Sequence, residues 1–158
     1  MDKNEQLVNY FLTCPQIKDS PLYFNFIKAE DSTTQILTDS NDIYANKSYI
    51  DGSELKLYNF TIIMFRSVSP TAIAKVSGYT NENIVDLADI QALIDWVTEQ
   101  NEIHNYPDFG ENCIVQSIKS TTVNPIYSGI DTEVSPNLAV YNVTFQIEYL
   151  DISKKIWR

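Results

Sequence analysis

Two residues of this sequence have the chemistry of a catalytic pair, Cys113 and His104. A thiol becomes a nucleophile when a nearby base removes its proton, and His104 is the single imidazole of the chain. This histidine lies where a long helix is predicted to end, and there its side chain also interacts favourably with the helix dipole. We therefore expect an exposed helix-end histidine and no catalytic residue. A small cysteine-dependent enzyme is the alternative.

The sequence offers no other set of ligands for a metal or a nucleotide. Cys14 and Cys113 are the only cysteines and lie about a hundred positions apart, which matches neither a disulfide framework nor a zinc pattern. Residues 39–42 begin like a calcium loop, but Tyr44 stands where that loop needs glycine. No phosphate loop or dinucleotide fingerprint occurs among the four glycines. We expect free thiols, no metal and no cofactor.

The composition describes an acidic, soluble protein of ordinary domain size. The 158 residues carry a formal charge of -10 with a pI near 4.4, which disfavours general binding to nucleic acid. This charge is compatible with an acidic protein surface that DNA passes without binding to it. No segment approaches the roughly 18 apolar residues that span a bilayer, and the start lacks a secretory signal. The sequence predicts one domain, residues 1–158, made in the cytoplasm.

Two helices are predicted from apolar residues that recur on one face. The first, about residues 4–14, begins at Asn4 as its cap, ends before Pro15 and buries Leu7, Tyr10, Phe11 and Cys14. The second, about residues 82–103, is capped by Asn81 or Asn83, and its apolar stripe consists of Leu87, Ile90, Leu93, Ile94 and Val97. Its acidic residues form a solvated side and include Asp86, Asp89, Asp95, Glu99 and Glu102.

The remaining pattern is extended. Strands are predicted at residues 23–27, 34–37, 43–50, 55–65, 113–120 and 138–150, with a loop region between the last two. Asp51-Gly52 predicts a hairpin turn. The last strand alternates, and one face carries Tyr141, Val143, Phe145, Ile147 and Tyr149. The predicted fold is α+β, a single domain with a mainly antiparallel β-sheet packed by a short N-terminal helix and one long central helix.

One residue string is more specific than any of these patterns. Phe65-Arg66 ends a predicted strand, and the long helix then runs into Asp95-Trp96-Val97-Thr98-Glu99-Gln100-Asn101 and Asn105-Tyr106-Pro107-Asp108-Phe109-Gly110. In order and spacing the chain resembles the tail terminator (minor capsid, tail completion) proteins of tailed bacteriophages. Their signature is Asp-Trp-(Ile/Val)-x-x-Gln-Asn followed by Asn-(Phe/Tyr)-Pro-Asp-Phe-Gly. The match covers about residues 55–150.

The resemblance implies a structural virion protein and not an enzyme. Such subunits form a homo-oligomeric ring, usually a hexamer, that caps the head-proximal end of the tail tube, stops its growth and offers the head-tail joining surface. The implied partners are further copies of the chain, the major tail tube protein and a head-tail connector or stopper protein. Double-stranded DNA is a passing, non-specific occupant of the lumen, and no membrane is involved. Assembly would take place in the host bacterial cytoplasm.

Two other readings stay open from the sequence. The first is a head-side connector or stopper subunit, which is similar in size to a tail terminator and also forms a ring. A monomeric ligand-binding module would need an internal pocket that the sequence does not reveal.

Six residues are candidates for contacts between subunits: Tyr106, Phe109, Lys154, Lys155, Trp157 and Arg158. Tyr106 and Phe109 are expected to anchor the loop onto the core, with a subunit contact as the alternative. Residues 153–158 place three of eleven basic residues and one of two tryptophans at the end of an acidic chain. We expect this segment to pack onto acidic surface of an adjacent subunit or the tail tube, with a frayed end as the alternative.

Overall fold

A computed structural model describes residues 2–18, 21–25, 33–38, 45–67, 82–121, 126–131 and 138–156. The described residues form two helices, α1 (Lys3–Phe11) and α2 (Glu82–Glu102). They also form seven strands: β1 (Leu22–Phe24), β2 (Thr34–Thr38), β3 (Ala45–Ser48), β4 (Glu54–Ser67), β5 (Cys113–Ser120), β6 (Ile126–Asp131) and β7 (Leu138–Asp151). The strands join in one mostly antiparallel sheet, so the predicted α+β fold is confirmed.

The two longest strands, β4 and β7, form the middle of the sheet. They pair antiparallel along their whole length, from Glu54 opposite Asp151 to Ser67 opposite Leu138. On its other side β4 pairs with β2 and, nearer its start, with β3. On its other side β7 pairs with β5 and β6, while β1 joins β2 in parallel. Where β4 begins, the strand order is therefore β3, β4, β7, β5, with β3 and β5 at opposite edges.

Both helices pack against the same face of this sheet. Phe11 of α1 has its ring centroid 5.5 Å from that of Phe60 and 6.0 Å from that of Phe145. The ring centroid of Trp96 in α2 lies 5.3 Å from that of Tyr10 in α1, so the helices also contact each other. The alternation predicted for β7 is confirmed, because all five residues of its apolar face are buried: Tyr141, Val143, Phe145, Ile147 and Tyr149. The core lies between the helices and this face.

The helix predictions hold with local corrections. The first helix ends at Phe11, and its chain continues in turns through Lys18. Asn4 is not the cap: it lies inside the helix, Asp2 precedes the first turn, and the Asn4 amide donates to the Asp2 carboxylate at 3.1 Å. Ile90, Leu93, Ile94 and Val97 of α2 are buried as predicted. Asn81, proposed as a cap of α2, lies outside the described residues, as do residues 39–44 of the calcium-like run.

One strand was missed. Residues 126–131 fall in the region predicted as a loop, yet they form β6 and pair with β7. The pairing shifts register between Tyr127 and Gly129, and a bulge at such a position breaks the simple alternation that identifies strands in a sequence. Three strands therefore follow α2 in the described residues, where the sequence predicted two.

The predicted hairpin turn at Asp51-Gly52 is confirmed and joins β3 to β4. Gly52 has a positive φ of 90°, a conformation that side chains other than glycine rarely adopt. Its N–H donates to the Tyr49 carbonyl at 3.0 Å, and the Tyr49 N–H donates to the Ser53 carbonyl at 2.9 Å. The Asp51 carboxylate accepts from the Ser53 N–H at 3.0 Å. These hydrogen bonds fix the conformation of the turn.

Candidate subunit interface

The string at residues 95–110 joins the end of α2 to α1 and β5. The Asn101 side-chain oxygen accepts from the Ile118 N–H at 3.0 Å, which attaches the helix to β5. The Gln100 side-chain oxygen accepts from the Asn105 amide at 2.5 Å. The Tyr10 hydroxyl donates to the Asn105 carbonyl at 3.0 Å, which attaches α1. Asn101 and Tyr10 therefore join separate elements, whereas Gln100 holds the residues that follow α2 against the end of the helix.

The helix ends in a left-handed C-cap. His104 has a φ of 57°, and its N–H donates to the Asn101 carbonyl at 3.3 Å. The next N–H, of Asn105, donates to the Gln100 carbonyl at 2.9 Å. These two bonds form the Schellman pattern that commonly closes helices, usually with glycine or asparagine at the left-handed position. The single histidine of the chain thus has a structural place at the helix end.

Phe109 is an anchor, as the sequence predicts. Its side chain is only 4% exposed and belongs to the core. Its ring centroid lies 5.6 Å from that of Tyr58 and 5.5 Å from that of Tyr149, both in edge contacts. Phe109 therefore offers almost no surface to a second subunit. Tyr106 is half-buried against the core, and its hydroxyl lies 3.0 Å from Nδ1 of His104.

The described part of the C-terminal segment packs on the hairpin turn of its own chain. The Ile156 N–H donates to the Asp51 carbonyl at 2.6 Å. The Lys154 carbonyl lies so close to Gly52 that a Cβ there would stand 2.3 Å from the carbonyl oxygen. The segment was predicted to contact a neighbouring subunit or the tube, and its observed contacts through residue 156 are within the chain. Trp157 and Arg158 lie outside the described residues.

The lysines of this segment have acidic partners in their own chain. Lys154 Nζ lies 3.6 Å from the Glu54 carboxylate, and Lys155 Nζ lies 3.8 Å from that of Asp51. Lys56 lies between Glu54, at 3.6 Å, and Asp151, at 2.8 Å. The sequence predicts that this basic segment contacts acidic groups of a neighbour. Acidic groups are also present in its own chain, at the start of β4 and in the hairpin turn.

The pair formed by Lys56 and Asp151 changes the pKa of both groups. Partial burial opposes the ionisation of Asp151, but hydrogen bonds from Lys56 and Ser153 outweigh it and lower the pKa of this carboxyl. The hydrogen bond to Asp151 raises the pKa of Lys56. Both shifts favour the charged forms in the folded protein.

A pH dependence of stability follows from the lowered pKa of Asp151. A group whose pKa is lower in the folded state contributes its full stabilisation above its unfolded pKa, about 3.9 for aspartate, and this contribution declines as the pH falls from there towards the lower folded-state pKa. We expect Asp151→Asn to destabilise the protein more at pH 7 than at pH 3, as measured by urea unfolding at both values. An equal loss at the two pH values would contradict this prediction.

Exposed apolar side chains concentrate beside this segment. The large exposed hydrophobic residues of the described chain are Leu12, Tyr49, Ile50, Ile103, Ile114 and Ile156. Three of them, Tyr49, Ile50 and Ile156, adjoin the hairpin turn and the C-terminal segment. We call these three residues together with Lys154 and Lys155 the hairpin-tail patch. The sequence placed Tyr49 and Ile50 in a strand, and no local pattern marked them as exposed.

Cys113 and His104 have different neighbours. The His104 ring makes a hydrogen bond with the Tyr106 hydroxyl. Partial burial raises the pKa of the Cys113 thiol, and the charged groups acting on it are Lys3, Asp151 and Lys56. A nucleophilic cysteine needs a lowered pKa, so this environment gives no support to the cysteine-dependent alternative. Cys14 is a buried free thiol, and burial raises its pKa to about 11.

Within the part of the chain that the structure describes, no three acidic, cysteine or histidine side chains are grouped so that they could hold a metal ion. No described helix has the length and apolarity needed to cross a bilayer. The described residues form an α+β fold, and side chains of the string at residues 95–110 hold α2 against α1 and β5. No protein-family model and no curated protein matches the chain.

Proposed function

We propose that this chain is the subunit of a ring that caps the head-proximal end of a bacteriophage tail tube. The ring ends polymerisation of the tube and provides the surface to which the head attaches. Its partners are other copies of the chain, the major tail tube protein and a connector or stopper protein, and its location is the virion tail. The observation that carries the proposal is the string at residues 95–110, preceded by Phe65-Arg66 in the order typical of tail terminators.

The contacts of this string support the proposal because they are those of a structural element. Asn101 attaches α2 to β5, Asn105 accepts from α1, and Phe109 anchors the return of the chain in the core. A string that sets the position of a helix relative to a sheet marks a fold and not a reaction. Such a signature is compatible with a structural protein, and the class of protein proposed here comes from the resemblance of the string to tail terminators.

Phe65-Arg66, the other part of the resemblance, also has a structural role. The Arg66 guanidinium is buried and donates to the Phe65 carbonyl at 2.8 Å. It lies 3.8 Å from the carboxylate of Asp89 in α2. A buried guanidinium needs such partners, because an uncompensated buried charge is strongly destabilising. Arg66 thus attaches the end of β4 to the helix that leads into the string.

The charge of the chain suits the proposed position. A ring at the head-proximal end surrounds the path of the DNA, and a formal charge of -10 per subunit opposes adhesion of a polyanion. The DNA therefore passes the ring without specific binding. A head-side stopper ring would surround the same DNA path, so the acidic charge suits both kinds of ring.

The experiment that tests the proposal is a tube-growth assay. Tail tube protein polymerises with and without this protein, and electron microscopy records tube lengths and tube ends. We expect shorter tubes of narrower length distribution that carry the protein at one end only. Tubes that grow unchanged would contradict the proposal. Binding to isolated connector rings and not to tubes would identify a head-side stopper.

The proposed absence of a reaction at His104 and Cys113 leads to a second expected result. Replacing both residues by alanine should leave tube capping near normal, because neither side chain carries out a reaction in a structural ring protein. A modest loss of stability is expected at the half-buried cysteine. The measurement is the tube-growth assay together with thermal unfolding. A variant that folds normally but no longer caps tubes would contradict this prediction and reopen the enzymatic alternative.

A further inference from the structure

The hairpin-tail patch has the character of a contact surface. In the hairpin turn, Ile50 is 93% exposed and the preceding Tyr49 is 47% exposed. Ile156 of the C-terminal segment, whose N–H donates to the Asp51 carbonyl of that turn, is 71% exposed. Exposed apolar residues rimmed by polar ones commonly mark sites of protein association. The rim carries the amino groups of Lys154 and Lys155, together with the carboxylates of Glu54 and Asp51 that lie near them. Their ion pairs within the chain are long, at 3.6 and 3.8 Å, and join exposed lysines to partly buried carboxylates, so they contribute little and the lysines can exchange partners.

A surface of opposite charge lies at the end of α2. Asp95, Glu99 and Glu102 are exposed at the spacing of one helix face. The helix has no basic residue in its last turn, and no ion pair in the described part of the chain neutralises these three carboxylates. Ile103 follows them and is 62% exposed. We call these four residues the α2-end patch. It combines acidic and apolar groups, as the hairpin-tail patch combines basic and apolar groups.

The two patches belong to opposite edges of the sheet. The hairpin turn continues from β3, whereas the end of α2 is attached to β5 through Asn101 and Ile118. At this end of the molecule β4 and β7 lie between β3 and β5. Two different, complementary patches make a heterologous contact, and repetition of that contact gives a ring when the rotation between copies closes.

We propose that neighbouring copies of this chain bind each other through these two surfaces. The hairpin-tail patch of one copy contacts the α2-end patch of the next. Lys154 and Lys155 pair with Glu99 and Glu102 of the neighbour, and Ile50 and Ile156 cover its Ile103. This inference rests on the proposed function, because it assigns the contact that would build the ring.

A charge-swap experiment tests the contact. One variant carries K154E and K155E, a second carries E99K and E102K, and a third carries all four changes, which restore opposite charges across the contact. The matched control exchanges two exposed charges outside both patches, K18E with E111K, and keeps the net charge as the fourfold variant does. Circular dichroism verifies folding, and sedimentation velocity measures self-association of the full chain at low and high salt.

We expect each double variant to weaken self-association at least about tenfold, since like charges then face each other across the contact. The fourfold variant should regain most of the affinity, and the control should match the wild type. A fourfold variant as weak as K154E/K155E alone would overturn the contact, because loosening of the C-terminal segment would then explain the defect. Unchanged association of both double variants would overturn it as well.

The outcomes separate this inference from the function on which it rests. A wild-type protein that forms rings and caps tubes, with charge-swap variants that do the same, refutes the assigned contact and leaves the proposed function standing. A wild-type protein that stays monomeric at high concentration and in the presence of tubes refutes both.

Discussion

Replacing Phe109 by alanine is expected to destabilise the protein by about 3 to 5 kcal/mol. The ring of Phe109 is 4% exposed and makes edge contacts with Tyr58 of β4 and Tyr149 of β7. Its loss would leave a cavity where the chain returns from α2 to the sheet, and would remove favourable contacts between aromatic rings. Chemical unfolding at neutral pH measures the effect.

Tyr106→Phe is the matched control for this variant. It removes only a hydroxyl three residues away, whose partners are His104 and the Asn101 carbonyl. We expect it to cost about 1 kcal/mol or less, because a partly exposed hydrogen bond has a small net value. An unchanged melting temperature for Phe109→Ala, combined with failed ring assembly, would show that Phe109 acts at the interface and not in the core.

Gly52→Ala is expected to have two effects. The φ of 90° strains any residue with a Cβ, which costs about 1 to 2 kcal/mol. The new Cβ would also stand 2.3 Å from the Lys154 carbonyl oxygen, so the C-terminal segment must move. We therefore expect faster hydrogen exchange at the Ile156 amide, faster proteolysis after Lys154 or Lys155, and weaker self-association.

Gly110→Ala separates these two effects. Gly110 has a φ of 101°, and nothing would lie within 4 Å of a Cβ there. This variant should therefore show the backbone strain alone, with a normal C-terminal segment and normal self-association. Equal proteolysis and equal association of the two variants would contradict the view that the hairpin turn holds the C-terminal segment in place.

Local patterns were sufficient to predict most of the elements. The alternation in β7, the apolar stripe of α2 and the Asp51-Gly52 turn each involve residues close in sequence, so their periodicity or turn chemistry is visible without the fold. β6 was missed because Gly129 and a bulge interrupt its alternation. Asn4 was assigned as a cap because its residue type is typical of caps, although Asp2 precedes the first turn.

Contacts between distant segments could not be predicted in the same way. Gly52 and Lys154 lie about a hundred residues apart, and their close approach depends on the pairing of β4 with β7. The basic residues at the C-terminus predict packing on acidic surface of an adjacent subunit or the tail tube, and that contact stays a prediction. The sequence could not show that Asp51 and Glu54 of the same chain provide such a surface. Charge predicts the kind of partner, whereas strand register decides which acidic groups are near.

The polar side chains of the junction illustrate the same limit. Asn101 and Gln100 belong to the signature, but their sequence does not show which groups their side chains contact. Asn101 accepts from Ile118 because α2 lies beside β5, and Gln100 accepts from Asn105 where the chain leaves the helix. The left-handed conformation of His104 was equally hidden, since glycine or asparagine is the usual residue at that place. The side-chain contacts of the string thus depend on tertiary structure and are not visible in its sequence.

The most direct test of the central claim is an electron-microscopy image of tail tube ends to which this protein is bound. The proposed function predicts a closed ring of six subunits at one end of each tube. Every pair of neighbouring copies in this ring makes the same heterologous contact. A stable two-fold dimer at the tube end, or protein distributed along the tube wall, would contradict it.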